Sequence, residues 1–166
     1  MSNVNDQVEI VQVNYQNPKH ANDLCALLNA YATDIQGGGQ AIHPTILNSL
    51  PQKLNNFPTA RSFLLYADGK PAAMANCFLG FSTFNGKPLM NIHDFAVSPQ
   101  FRKQGLSQKL LAYIEEHAKT KENCCKLTLE VLSENHVAKN AYKKFGFEGY
   151  ELDPESGQAV FWQKKL

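Results

Sequence analysis

Apolar residues recur along this chain with two periods, and the switches between them lay out its elements. Val8 to Val13 alternates apolar and polar positions and reads as a first strand. From Pro18 onward, Ala21, Leu24, Cys25, Leu27, Leu28 and Tyr31 recur at helical spacing. A loop, Asp34-Ile-Gln-Gly-Gly-Gly-Gln40, follows, and His43 to Leu54 reads as a second helix with Pro44 in its first turn. Phe63–Ala67 and Ala72–Phe84 are strands joined by an Asp68-Gly69 hairpin turn. Asn85-Gly86 is a second turn of that kind, leading into a strand over Leu89–Val97. Leu106, Leu110, Leu111, Ile114 and Ala118 then return to helical spacing as far as about Lys119. Lys126–Val131 is a strand, a short helix around Tyr142 follows, and Phe147–Leu152 and Ala159–Lys164 are expected as closing strands. The order is β-α-α-β-β-β-α-β-α-β-β, an α/β (α+β) chain. Neither repeats nor a linker divide it, so residues 1–166 are expected to form a single domain.

Composition narrows the function classes. A chain of 166 residues is long enough for one real core. Its 43% hydrophobic and 19% charged residues are ordinary for a soluble protein. A net charge of +1 argues against broad attraction to nucleic acid or to a membrane surface. No apolar run approaches the length of a membrane span. The first residues, Met1 to Gln7, lack the basic and apolar regions of a signal peptide, so the expected location is cytoplasmic. Cys25, Cys77, Cys124 and Cys125 form no Cys-x-x-Cys pair and stand at no metal-like spacing from a His. Reduced thiols and no metal are expected.

The chemistry concentrates at Val97-Ser-Pro-Gln-Phe-Arg-Lys-Gln-Gly-Leu-Ser107, between a strand and a helix. A short loop with a Gly that opens a helix turns several backbone N–H groups outward, and the first helical turn gives them no partner. The helix dipole adds partial positive charge, so the arrangement suits a phosphate. Arg102 and Lys103 add formal charge beside it. Neither Gly-x-x-x-x-Gly-Lys-Ser/Thr nor Gly-x-Gly-x-x-Gly is present, which removes the nucleotide P-loop and the dinucleotide fingerprint.

A second constellation lies downstream, Asn135-His-Val-Ala138-Lys-Asn-Ala-Tyr142-Lys-Lys-Phe-Gly146-Phe147. Asn135, Ala138 and Tyr142 stand at i, i+3 and i+7 and share one helix face. Ser133 or Asn135 can cap the helix, and Gly146 can end it with Phe147 folding back over the last turn.

With both motifs in this order, the chain resembles the GNAT superfamily, the Gcn5-related N-acetyltransferases. The family's pyrophosphate-binding signature, Gln/Arg-x-x-Gly-x-Gly/Ala, reads here Arg102-Lys103-Gln104-Gly105-Leu106-Ser107, with Ser107 as a departure that keeps a small side chain and its N–H. The second signature is complete at Asn135, Ala138, Tyr142, Gly146 and Phe147. The resemblance covers about Leu89 to Phe147, and the first eighty residues only in the order of their elements. It implies a mixed central sheet of about seven strands with about four helices, splayed between the fourth and fifth strands. It also implies acetyl-CoA as acetyl donor, with its pantetheine arm bonded to the backbone of Phe95, Ala96 and Val97. Relatives often dimerise, so a homodimer is expected by analogy.

Transfer from a thioester to an amine needs a neutral amine and a proton for the leaving thiolate. A free alkylamine has a pKa of about 10.4, so most of it must lose a proton first. The resemblance gives Tyr142 the role of general acid. The Glu that serves as a water-linked base in polyamine-type members matches His93, and an imidazole can do the same work. Asp94, its neighbour, binds the cationic acceptor or orients His93. Adjacent strand residues point to opposite faces unless a bulge intervenes, and in this family that strand commonly is bulged.

The acceptor side falls to the N-terminal half, where residues 1–90 hold only the acids Asp6, Glu9, Asp23, Asp34 and Asp68. That is few for a strongly polycationic aminoglycoside. Asp34 with Asp94 suits a single ammonium group, the Gly37–Gly39 loop can close over it, and Tyr31, His43, Phe81 and Phe84 are candidate lining residues. The expected function is therefore acetyl transfer to a primary amine of a small molecule, amine- or polyamine-like, by direct attack in a ternary complex. The alternatives are a protein or peptide amine as acceptor, and an acyl-CoA-binding sensor module without efficient transfer.

Overall fold

β1 (Val8–Gln12) leads through a turn into α1 (Pro18–Thr33), a 3-10 turn over Ile35–Gly37, and α2 (Pro44–Asn55). β2 (Ala60–Ala67), β3 (Lys70–Ser82) and β4 (Lys87–Val97) follow as a meander, then α3 (Leu106–Thr120), β5 (Leu127–Leu129) and α4 (His136–Phe145). This computed structural model describes residues 7–150, 155, 157 and 159–166. Two compact units divide the chain, Met1–Leu129 and Glu130–Leu166.

The first unit is a five-stranded sheet in the order β1-β2-β3-β4-β5. Its pairs are antiparallel except for β4 with β5, which run parallel. The β2–β3 hairpin turns on Asp68 and Gly69, both left-handed at φ 49° and 75°, as a two-residue hairpin requires. α1 and α2 cover one face, where Leu24, Leu27, Leu28 and Leu54 pack with Leu64, Tyr66 and Met74. α3 covers the other, with Phe63 edge-on to Tyr113 and His117. Leu106, Leu110, Leu111, Ile114 and Ala118, the helical stripe read from sequence, are all buried. Ser62 to Ala67 is a continuous buried run because β2 is covered on both sides.

Local chemistry sets the helix ends. Asn17 caps α1, accepting from the backbone N–H of Lys19 and His20, with Pro18 at the first helical position. α2 carries Pro51 in its interior, which deprives the Leu47 carbonyl of its helical donor. The Cys25 thiol donates to that carbonyl from α1 at 3.6 Å, and burial pushes the thiol up so that it keeps its proton. The thiols of Cys25, Cys77, Cys124 and Cys125 are all free.

In the second unit, Asn135 caps α4 by accepting from the Ala138 N–H at 3.1 Å. Gly146, left-handed at φ 109°, ends it, and the N–H groups of Gly146 and Phe147 both return to the Tyr142 carbonyl.

The strand count differs from the sequence expectation, five among the described residues against about seven. Residues 147–150 and 159–164 are not strands, while 151–152 lie outside the described residues. The apolar run Val160, Phe161 and Trp162 that suggested a strand is more than two-thirds exposed, so no covered face holds it. β5 is also shorter than the expected Lys126–Val131. No helix among the described residues is long and apolar enough to cross a membrane.

Candidate active site

Strand β4 leads directly into the loop over residues 98–105 that opens α3. After Val97, the chain makes a 3-10 turn over Pro99–Phe101, and Lys103 and Gly105 then take left-handed conformations at φ 63° and 75°. Alternation of this kind turns successive N–H groups into one concavity. No side chain caps α3, so the start of this 15-residue helix keeps its donors for a ligand. Lys103, Gln104 and Gly105 are exposed, while Leu106 is buried. Ser107 is half-buried in the first turn. A Cβ at Gly105 would meet nothing within 4 Å, so glycine is needed there for its left-handed backbone rather than for space. An open, uncapped, cationic cradle of this kind fits the pyrophosphate of a CoA thioester.

Arg102 departs from the sequence expectation in its side chain. Its Nη2 donates to Asp34 Oδ2 and its Nε to the Val97 carbonyl, both at 3.1 Å. Asp34 accepts from the Gln36 N–H as well, and these bonds hold its carboxyl below the usual range. The residue proposed to meet an acceptor ammonium thus already has a cation.

At the other end of β4 a bulge decides the geometry. The β3–β4 register passes from Asn76 opposite Asp94 to Cys77 opposite Ile92, leaving His93 as the extra residue. Asp94 shares its face with Asn76 and Ser62, the face that Leu64 and Met74 give to α1 and α2. His93 packs its ring edge-on against Phe78, 5.6 Å away, and Phe78 belongs to that same packed face. The bulge therefore brings His93 and Asp94 to one side of the sheet, where simple alternation would separate them. Asp94 accepts from Asn76 Nδ2 at 3.0 Å. The Tyr31 hydroxyl of α1 is pushed up by burial first, and then by the nearby carboxylates of Asp94 and Asp34. Beyond the bulge, Phe95, Ala96 and Val97 keep their register with β3, whereas the register with β5 stops at Ile92. That pairing ends where β5 itself ends, at Leu129.

The remaining candidates divide. His43 is spent capping α2, with Nδ1 accepting from the Thr45 N–H and 2.8 Å from Thr45 Oγ1. Phe81 and Phe84 are exposed, close to the β3–β4 turn, and stand on neither the bulge nor the loop. In the second unit, Asn135 serves as the α4 cap, and Tyr142 is half-buried with its ring edge-on to Phe147 at 5.8 Å. Sequence reasoning missed Tyr15, Ser62 and Asn76, whose side chains continue the hydrogen bonding behind Asp94. Two of them are polar residues inside apolar strands, which was the available signal. Among the described residues, no group of three His, Cys, Asp or Glu side chains is arranged to hold a metal.

A mixed sheet with a bulged fourth strand running into an uncapped helix is the frame of an acyl-CoA-dependent transferase. The match to the acetyltransferase (GNAT) family extends over residues 25–147, and the chain belongs to that family. It is an N-acetyltransferase, and acetyl-CoA is its acetyl donor. The aminoglycoside N(6')-acetyltransferase type 1 of Salmonella typhimurium is 24% identical over 107 residues, which cover 63% of this chain and 69% of that protein. An aminoglycoside acetyltransferase from an uncultured soil metagenomic sample, solved with sisomicin, has a TM-score of 0.76 at 18% identity, covering 96% of both chains. A ribosomal-protein-alanine N-acetyltransferase from Brucella melitensis biovar Abortus 2308 gives 0.69 at 15% identity, covering 96% of this chain and 98% of the other. These structural likenesses concern the fold.

Proposed function

We propose that this protein transfers the acetyl group of acetyl-CoA to a primary amine of a small cationic molecule by direct attack in a ternary complex. The observation that carries this reading is the course of β4. Within fifteen residues it joins a half-buried carboxylate and an imidazole on the α1/α2 side to an uncapped helix N-terminus. Acetyl-CoA, when bound, supplies a thioester. Backbone groups of Gln104 to Ser107, with Lys103, hold its phosphates, and the backbone of Phe95, Ala96 and Val97 holds its arm.

The chain's own residues do the rest. Asp94 holds the acceptor's ammonium, and His93 takes its proton, directly or through water. The neutral amine then forms the new C–N bond as the C–S bond breaks, and the Tyr142 hydroxyl supplies the proton to the leaving sulfur. Tyr142 takes that role from its place in the Asn135, Ala138, Tyr142 signature. A phenol, with a reference pKa of about 10, stays protonated at neutral pH and can still donate.

Aminoglycosides belong in the first acceptor panel because the curated relatives carry that substrate in their names. The single bulge carboxylate, with Asp34 already paired to Arg102, favours recognition of one ammonium group at a time. The test is CoA release from acetyl-CoA across aminoglycosides, diamines, polyamines, amino acids and basic peptides. A preferred small amine is expected. A preference for the basic peptides would replace this reading with the protein-acceptor one. No release with any amine would reduce the chain to an acyl-CoA-binding module.

A further inference from the structure

Four polar side chains cross the sheet in a line that ends at Asp94. The Tyr15 hydroxyl, in the segment between β1 and α1, lies 2.8 Å from Ser62 Oγ on β2. Ser62 donates to Asn76 Oδ1 on β3 at 2.6 Å, and Asn76 Nδ2 donates to Asp94 Oδ2 on β4 at 3.0 Å. Ser62 and Asn76 are register partners, as are Asn76 and Asp94, so both inner links run straight across neighbouring strands. Ser62 is 1% exposed and Asn76 3%. Both stand beside Leu64 and Met74 in an otherwise apolar layer. Burying a hydroxyl and an amide there is costly unless each is bonded, and aliphatic residues would fill the same space without that demand.

The direction of every bond follows from the last one. An ionised carboxylate only accepts, so Asn76 must present its NH₂ group to Asp94. The amide oxygen then faces back and accepts the Ser62 hydrogen. With that hydrogen spent, Ser62 Oγ accepts from Tyr15. Burial pushes the Tyr15 hydroxyl up, so it keeps the proton it donates. The chain is thus polarised toward one carboxylate, and it holds that carboxylate at the first residue after the bulge. Among the described residues, Asp94 Oδ1 has no hydrogen bond, and the side chain is half-buried rather than sealed.

We propose that Asn76, held in turn by Ser62 and Tyr15, is the positioning residue for Asp94: it occupies Oδ2 and so fixes Oδ1 toward the acceptor's ammonium on the α1/α2 side. This rests on the reading of Asp94 as the acceptor carboxylate. Asn76 touches no substrate itself and acts only through Asp94. The amide is suited to this because it is a neutral donor. A Lys or Arg at the same place would neutralise the charge that the acceptor needs.

The test is calorimetric binding of sisomicin and of spermidine to protein saturated with CoA, which carries no acetyl group to transfer. Asn76→Leu is expected to weaken binding of the preferred amine about tenfold while leaving CoA affinity unchanged. Asp94→Asn should weaken it at least as much, and the double variant should lose nothing beyond Asp94→Asn alone. Full additivity of the two losses, or wild-type amine affinity in Asn76→Leu, overturns the proposal, because a purely structural residue would act independently of Asp94. Should Asn76→Leu fail to fold, Ser62→Ala and Tyr15→Phe carry the same cycle against Asp94→Asn, with smaller losses expected. Amine binding that follows this cycle in a protein that transfers no acetyl group would sink the reading of function and leave the positioning role standing. Absence of binding of either amine to the wild-type protein would sink the positioning role.

Discussion

The Arg102 guanidinium donates to the Asp34 carboxylate at 3.1 Å and ties together two loops that lie 68 residues apart in the chain. Asp34 closes α1 and caps the 3-10 turn of the glycine-rich acceptor-side loop. Arg102 opens the phosphate cradle and is braced by the Val97 carbonyl at the end of β4. An anion bound at the proposed cradle would therefore compete with Asp34 for one guanidinium.

The pair is partly exposed, so its own contribution to stability is small. Its expected effect on ligands is larger, because Asp34 places negative charge next to the proposed phosphate site. Asp34→Asn is expected to tighten acetyl-CoA about two- to fivefold and to raise the KM of the amine as the loop loses its tie. Arg102→Ala should weaken acetyl-CoA instead. Fluorescence or calorimetric titration reads both. Weaker acetyl-CoA binding in Asp34→Asn would mean that Asp34 holds Arg102 in place for the phosphate rather than competing with it.

Gly105 sets the cradle through its left-handed backbone alone. A β-branched residue there pays about 1–2 kcal/mol to keep that conformation, or else abandons it and turns the following N–H groups away. Gly105→Val should therefore cost about tenfold or more in acetyl-CoA affinity, with kcat at saturating donor little changed. Gly105→Ala should cost less. Wild-type affinity in Gly105→Val would remove the phosphates from this loop.

Much of this was legible in the sequence, for reasons that differ by element. The buried stripe of α3 and the alternation of β1 are periodic signals, and the Asp68-Gly69 turn is a local one. The Arg102–Ser107 loop is local as well, since its chemistry depends on a glycine next to a helix start. The bulge was not legible as a fact, because Asn91-Ile-His-Asp-Phe95 reads as a plain strand until its partner is known. Only the register against Asn76 and Cys77 shows which residue is extra. Tyr15, Ser62 and Asn76 are far apart in sequence, and each alone is an ordinary polar residue. The run at Val160 to Trp162 misled in the opposite sense, since an apolar pattern makes a strand only where an edge accepts it.

Tyr142 lies in a helix whose ends are firmly set, by Asn135 at the start and Gly146 at the finish, with Phe147 against its ring. Tyr142→Phe keeps the ring packing and removes only the hydroxyl. If that hydroxyl protonates the leaving sulfur, kcat should fall about 100-fold or more while acetyl-CoA affinity stays the same. The loss should shrink for thioesters of more acidic thiols, which leave without a proton. Unchanged turnover in Tyr142→Phe would assign the proton to water.

Glu122 is one source of pH dependence in the scaffold. It follows α3 and pairs with Arg61 of β2, while His117 Nε2 lies 3.4 Å from its Oε1. Burial pushes this carboxyl up, but Arg61 and His117 outweigh it and hold it below the usual Glu range. The folded form therefore binds the proton less readily than the unfolded chain, whose Glu titrates near 4.5. The sign follows: the pair's stabilisation is complete above that value and is lost as the pH falls below it, through the lower folded value. Glu122→Gln removes the titrating group. The wild-type protein should unfold at higher temperature than Glu122→Gln at pH 6 to 7, and the gap should close on acidification below about pH 4.5. Because the pair lies at the C-terminal end of α3 and the proposed phosphate cradle at its start, acetyl-CoA affinity in Glu122→Gln should be little changed. Thermal unfolding followed by circular dichroism between pH 3 and 7 reads the first effect. A gap that stays constant across that range would show that the carboxylate contributes by packing alone.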